Sequence, residues 1–289
     1  MTSFDSNQVK RYYDDNTRLL LTLGQGHEGT IHRAVWGPGV STRAEALVYV
    51  DELIAKRALR MQAEQETPLH VVDLGCGVGA TLCRIAARSR IQGTGVSISE
   101  RQVAMARERM ALAGLTDRVR SVHGDFCNLP PGLAPAGLAY SIEAFVHAKS
   151  ARAFFEQCAA LVQPDGVLIV CDDFLSGANV ASEAAAQKWL ERFRRGWVVG
   201  SLLDFAQLEA IARDTGFEHE ETVDLSGFQE MNRPRDFAIG ALMRSFGWLP
   251  IKDSYWSMLY GGHALQVAHK RGFLRYLFSV WRRAPRVVP

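Results

Sequence analysis

The 289-residue sequence predicts an α/β fold, a mostly parallel seven-stranded sheet with helices on both faces. Three observations carry that expectation. From residue 69 onward, short apolar runs alternate with longer amphipathic segments. The first of these runs ends in Asp73 and is followed by glycines at 75, 77 and 79. The composition, 47% hydrophobic and 22% charged, is enough to build a sizeable core.

Taken in order, residues 6–65 read as an N-terminal helical lid, broken at Gly24–Gly29 and again at Gly37-Pro38-Gly39. Glu66-Thr67-Pro68 is the expected junction to the main domain, 66–289. Strands are expected at 69–74, 92–97, 119–123, 137–143 and 166–172, and helices at 79–89, 99–114, 150–162 and 204–215. Residues 176–203 read as a basic helical insertion. Phe217–Leu225 and 262–269 supply the sixth and seventh strands. Residues 270–286 hold six basic and no acidic residues interleaved with aromatics, which predicts a basic amphipathic helix packed on the core; contact with a membrane surface is left open.

The net charge of +2 gives no footprint for nucleic acid. The cysteines at 76, 83, 127, 158 and 171 show no CxxC pair, so reduced thiols and a cytoplasmic protein are expected. No signal peptide and no integral membrane segment is expected, and a homo-oligomer is.

Gly75-Cys-Gly77-Val-Gly79-Ala80 loosely fits a dinucleotide loop, a weak signal alone. A nicotinamide enzyme would place an acid at the end of the second strand for the ribose. Here that strand runs Gly93 to Ser99, with Glu100 only after it. The acid is instead Asp73, ahead of the glycines, which suits a zwitterionic cofactor carrying an ammonium group. His123-Gly-Asp125-Phe126 offers a carboxylate and an aromatic ring for an adenine, and Leu161 to Gly166 turns into the apolar run Val-Leu-Ile-Val.

In this order the set resembles the class I S-adenosylmethionine (SAM)-dependent methyltransferases over about 66–270. The resemblance implies a Rossmann-like fold and SAM contacts from Asp73, Gly75, Gly77, Gly79, Ser97, Gln102, Asp125, Phe126 and Ser141.

Two segments narrow the methyl acceptor. Tyr140-Ser-Ile-Glu143-Ala-Phe-Val-His147 is similar to a stretch of the sterol C-methyltransferases, and Gly95-Val-Ser-Ile-Ser-Glu-Arg-Gln102 resembles a segment of enzymes that methylate carbon–carbon double bonds. An alkene needs no base before it attacks the sulfonium methyl. The resulting cation needs stabilisation and then proton loss, and a carboxylate in an apolar pocket serves both needs. Glu143 is the expected catalytic residue and His147 its partner. Phe145, Trp189, Trp197 and Phe205 are aromatic candidates for facing the cation.

The lid segment, with Arg11, Tyr12, Tyr13, Asn16, His32, Arg33 and Trp36, resembles that of geranyl diphosphate C-methyltransferases. It departs from them in having His32-Arg33 where that group pairs two histidines. The resemblance implies that these residues and Trp189 bind an isoprenoid diphosphate, geranyl diphosphate first. Magnesium commonly accompanies a diphosphate; Asp14-Asp15 and Asp172-Asp173 are the paired carboxylates available, and neither is assigned to a metal. The 188–195 basic run is a second candidate clamp, read first as a solvated helix face. Small-molecule O- or N-methylation, with Glu143 and His147 as bases, and non-catalytic SAM binding stay open as alternatives.

Overall fold

The computed structural model describes residues 4–23, 32–249 and 253–285, without the side chains of 18–20, 22 and 23. The glycine-rich break at 24–29 lies outside the described residues. In chain order the elements are α1 (Ser6–Leu23), α2 (Arg43–Leu47), α3 (Tyr49–Ala63), β1 (His70–Leu74), α4 (Ala80–Ala87), β2 (Gln92–Ser97), α5 (Glu100–Leu112), β3 (Val119–His123) and β4 (Ala136–Ile142). They continue with α6 (Ala151–Leu161), β5 (Val162–Leu175), α7 (Ala184–Trp197), α8 (Phe205–Asp214), β6 (Phe217–Asp224), α9 (Pro234–Phe246), α10 (Ser254–Lys270) and β7 (Leu274–Arg283).

The seven strands form one sheet in the order β3-β2-β1-β4-β5-β7-β6. All are parallel except β7, which runs antiparallel between β5 and β6. The chain steps outward from β1 to β3 and then returns to β4 on the other side of β1. That reversal opens a crevice above the carboxyl ends of β1 and β4. Right-handed crossovers put α4 and α5 on one face, where Leu82, Ala106 and Met110 join Val71, Tyr140 and Ile169 in one core. Phe154, Phe155 and Leu208 of α6 and α8 cover the other face with Val72, Leu168 and Trp281.

The sequence-based lid over 1–65 divides in two. Val50, Ile54, Ala55 and Ala58 of α3 belong to the same core as β1 and β4. Among the described residues of this segment, α1 and residues 32–34 are those that line the crevice.

Two expectations at the C-terminus are reversed. Residues 262–269, expected as a strand, are the second half of α10. Residues 270–286, expected as a basic helix, contain β7. Tyr276, Phe278 and Val280 are buried in the core on one face of the sheet and Leu277 and Trp281 in the core on the other, because β7 lies inside a sheet packed on both faces. Arg275, Arg282 and Arg283 sit at the two ends of the strand and reach water there, which mimicked a helix face in one dimension. α10 is held helical by its packing on α7, where Gly196 and Gly261 meet backbone to backbone; a Cβ on either would overlap the other helix. Among the described residues all five cysteines are free, and no helix is long and apolar enough to cross a membrane.

Candidate active site

The crevice holds a cavity walled by Gly75, Cys76, Gly77 and Val78 from the loop after β1, Ser97 and Gln102 from β2 and α5, and Phe126 beyond β3. Ile142, Glu143, Ala144 and His147 close it from β4, and Val9, Tyr12 and Tyr13 of α1 lie across it. Gly75 has φ +96°, and a side chain there would overlap the Ala144 methyl, so the loop can pass only as glycine. α1 is fastened in place by polar contacts: Ser6 donates to Asp125, Ser99 to Asp14, and Gln102 to Thr17 at 3.1 Å. Gln102 is itself oriented by the Ser97 hydroxyl at 2.9 Å.

The wall fits SAM. Glycines without Cβ leave backbone amides open to a carboxylate, Phe126 offers a ring for a base, and Ser97, Gln102 and Tyr13 supply polar groups among apolar ones. When bound, SAM supplies an electrophilic methyl group.

Four residues expected in that wall stand behind it. Asp73 is 4% exposed and accepts a hydrogen bond from Tyr140 at 2.9 Å; burial raises its carboxyl pKa to about 8. It supports the loop from below and does not open to the cavity. Gly79 caps α4 with φ +73° and gives close approach to Ala106 of α5. Asp125 accepts from Ser6 and from the Cys127 amide. Ser141 is fully buried within β4, its hydroxyl without a hydrogen-bond partner.

A second cavity of about 530 Å³ opens beside the first, between α9, α10 and residues 229–235. Glu143 and Trp197 wall both. The Trp197 indole is fixed by its N–H bond to the Met258 carbonyl at 3.0 Å. Glu143 adopts φ +50°, a left-handed conformation costly for a non-glycine residue and typical of functional sites. One carboxylate oxygen, Oε1, accepts from the Arg33 amide at 3.0 Å and the Tyr276 hydroxyl at 2.9 Å. No described residue donates to Oε2, which is left for a ligand.

Arg33 itself is held by a buried network. Its guanidinium donates to both oxygens of Asp173, at 2.9 and 2.8 Å, and lies 4.2 Å from the Tyr276 ring centre. His269 Nε2 lies 2.7 Å from Asp173, and Gln229 bridges Arg33 at 3.2 Å and His269 Nδ1 at 3.2 Å. Burial pushes the Asp173 carboxyl up, but the Arg33 and His269 charges outweigh it and bring the pKa down to about 2. Asp172 points elsewhere and accepts the amides of Val146 and Asp173. The Asp172-Asp173 pair is thus occupied within the protein, as Asp14 is by Lys10 and Ser99.

Of the expected substrate residues, only Arg33 reaches the second cavity. His32, Tyr12 and Tyr13 face the first, His32 lying 3.2 Å from the Thr81 hydroxyl. Arg11 is exposed and bonds the Asn7 carbonyl. Asn16 is buried and ties α1 to Ser254 of α10. Trp36 is 37% exposed on the outside, and Trp189 lines neither cavity. His147 stands in the first cavity only, edge-on to Tyr13 at 5.3 Å. Burial lowers its pKa to about 4, so it is neutral at physiological pH. Phe145 is core, and Phe205 stacks on Trp281. Sequence reasoning missed Gln229, His269 and Tyr276 as site residues. They lie 86 to 133 positions after Glu143 on elements that were misread or not resolved as elements.

Residues 47–222 match the family model described as a methyltransferase domain. An O-methyltransferase from Pyrenophora dematioidea is 27% identical over 220 residues, 76% of this chain and 79% of the relative. A 24-methylenesterol C-methyltransferase 2 from Oryza sativa subsp. japonica is 31% identical over 227 residues, 78% of this chain and 61% of the relative. The crystal structure of geranyl diphosphate C-methyltransferase from Streptomyces coelicolor A3(2) superposes with a TM-score of 0.66 at 14% identity, covering 96% of this chain and 97% of that one, and shows the shared fold. With its family model spanning residues 47–222 and a cavity at the switch point of its sheet whose lining suits SAM, this chain belongs to the methyltransferase domain family and is a class I SAM-dependent methyltransferase.

Proposed function

We propose that the enzyme methylates an alkene carbon of an isoprenoid diphosphate, with geranyl diphosphate the first substrate to test. The observation that carries this reading is the position of Glu143, on the border of both cavities with one oxygen pinned and the other free. An acceptor in the second cavity meets the cofactor cavity at that border. With SAM bound in the first cavity, an alkene there would need no prior deprotonation: its π electrons would form the new carbon–methyl bond as the sulfur–methyl bond breaks and S-adenosylhomocysteine leaves. Positive charge then develops beside Oε2 of Glu143 and the Trp197 ring, and Glu143 removes the proton that ends the reaction. Ile239, Leu242, Met258, Leu259 and Leu265 give the second cavity apolar walls suited to a prenyl chain.

The experiment is incubation with SAM and a panel of dimethylallyl, geranyl and farnesyl diphosphates, with mass spectrometry of the products. A new carbon–methyl bond on one of them supports the reading. Turnover of none, with methylation of a hydroxyl or amine substrate instead, sinks it.

A second reading, O-methylation, has its own observation: His269 and Asp173 form a buried pair and His269 walls the second cavity. Both imidazole nitrogens are occupied, one by Asp173 and one by Gln229, which favours a scaffolding role over that of a base. Accumulation of S-adenosylhomocysteine with any acceptor separates both readings from SAM binding without catalysis.

A further inference from the structure

Beside His263, which lines the second cavity, cations from α7 and from the end of α10 meet on one indole just outside that cavity. Lys188 and Arg192 of α7 and Arg271, just after α10, stand 5.6, 5.3 and 5.5 Å from the Trp189 ring centre. Arg192 also lies 5.1 Å from the Tyr260 ring. His263 of α10 meets the edge of Trp189 at 5.9 Å and forms part of the cavity wall. Arg244 of α9 and Lys270 complete the cluster, close enough that burial together with the charges of Arg244, Arg192 and Lys270 lowers the His263 pKa.

None of Lys188, Arg192, Arg244, Lys270 and Arg271 has a carboxylate partner among the described residues. Arg57, by contrast, is paired with Glu220 and Arg152 with Asp214. Gathering like charges without a counter-charge opposes folding. Lys188, Arg244, Lys270 and Arg271 are exposed and Arg192 is half-buried, but they come from separate elements, α7, α9 and the end of α10, and gather around Trp189 and His263, which one solvated helix face does not account for.

We propose that this cluster is a binding site for a phosphate-type anion, and that the anion is the diphosphate head of the substrate in the second cavity. The assignment to a substrate head rests on the isoprenoid reading above; the anion site does not. Six positions along α10 separate His263 from His269, about 9 Å of helix axis. His269 shares Asp173 with Arg33, beside Glu143. A substrate anchored at His263 therefore presents a carbon far from its diphosphate to Glu143. The distal double bond is methylated, and the allylic one next to the oxygen is not.

The test uses the full-length protein saturated with S-adenosylhomocysteine, titrated calorimetrically with inorganic pyrophosphate at low salt. Wild type binds one equivalent. Arg192→Gln combined with Arg271→Gln weakens pyrophosphate at least tenfold and leaves S-adenosylhomocysteine affinity unchanged, which also reports intact folding. Absence of pyrophosphate binding, or equal binding by both proteins, overturns the site. Vesicles of phosphatidylcholine with phosphatidylglycerol form a second arm: wild-type adsorption that pyrophosphate does not displace overturns the small-anion assignment in favour of a lipid surface. Pyrophosphate binding through these residues, with no prenyl diphosphate methylated, keeps the anion site and overturns its assignment to the substrate head.

Discussion

Arg33 and Asp173, 140 positions apart in the chain, meet through two parallel hydrogen bonds of 2.9 and 2.8 Å. The contact joins the segment before α2 to the end of β5, and it aims the Arg33 amide at Glu143. A fork-to-fork pair fixes direction as well as charge, so the orientation of Glu143 depends on a residue that does not touch it.

Asp173→Asn removes the nearer of the two carboxylates that compensate the buried Arg33 guanidinium, the other being Glu143 at 3.3 Å. Breaking such a pair from one side costs about 3–5 kcal/mol, a fall in Tm on the order of 10 °C for a chain of this size. Calorimetry or thermal circular dichroism measures it. A change within the error of the melt would mean that Arg33 finds another partner and that the pair does not organise the site.

Glu143→Gln keeps the contacts of Oε1 in shape but loses the charge and the proton acceptor. Turnover should fall by roughly 10²–10⁴-fold, the usual worth of a positioned acid–base group, while equilibrium SAM binding stays within about twofold. Retained activity would remove Glu143 from the chemistry.

Gly75→Ala places a methyl group against Ala144 at a φ of +96°. Left-handed backbone alone costs an alanine roughly 1–2 kcal/mol. The overlap must shift either the loop or the 3-10 turn that carries His147, Phe145–His147. SAM affinity should drop at least tenfold, read by calorimetry. Unchanged affinity would mean that the loop does not cradle the cofactor.

His147 gives a pH dependence with a definite sign. Its pKa lies near 4 in the folded chain, because burial opposes the charge, and near 6.5 unfolded. Below about 6.5 the unfolded chain takes up a proton that the folded one refuses. This contribution to stability is complete above pH 6.5 and is lost as pH falls toward 4, by about 3 kcal/mol in all. His147→Gln should therefore show a smaller loss of Tm between pH 7 and 4.5 than wild type. Parallel pH profiles of the two proteins would contradict the buried, neutral imidazole.

The legible parts of this protein were local. The strand, glycine loop and helix at 70–87 carry their own signals, since alternation, positive-φ glycines and helix periodicity all act within a dozen residues. The place of Glu143, just after β4 and at the cavity, was legible too, from a contiguous motif. The C-terminal third was not. Arg275, Arg282 and Arg283 look like one face of a helix until β5 and β6 pair with the strand and the cores on both faces of the sheet bury the residues between them. The lid was misassigned for the same reason: Asn16 and Arg11 carry the right chemistry for a phosphate, but α1 turns them to α10 and to solvent.

The sequence by itself determined the fold, the cofactor and the carboxylate at the strand edge, because each is written in a short contiguous run. Only the tertiary structure decided what surrounds that carboxylate. Arg33, Asp173, Gln229, His269 and Tyr276 come from distant segments of the chain. No periodicity links them. Their partnership exists because burial forces charged and polar groups to satisfy one another, and packing alone determines which ones are within reach.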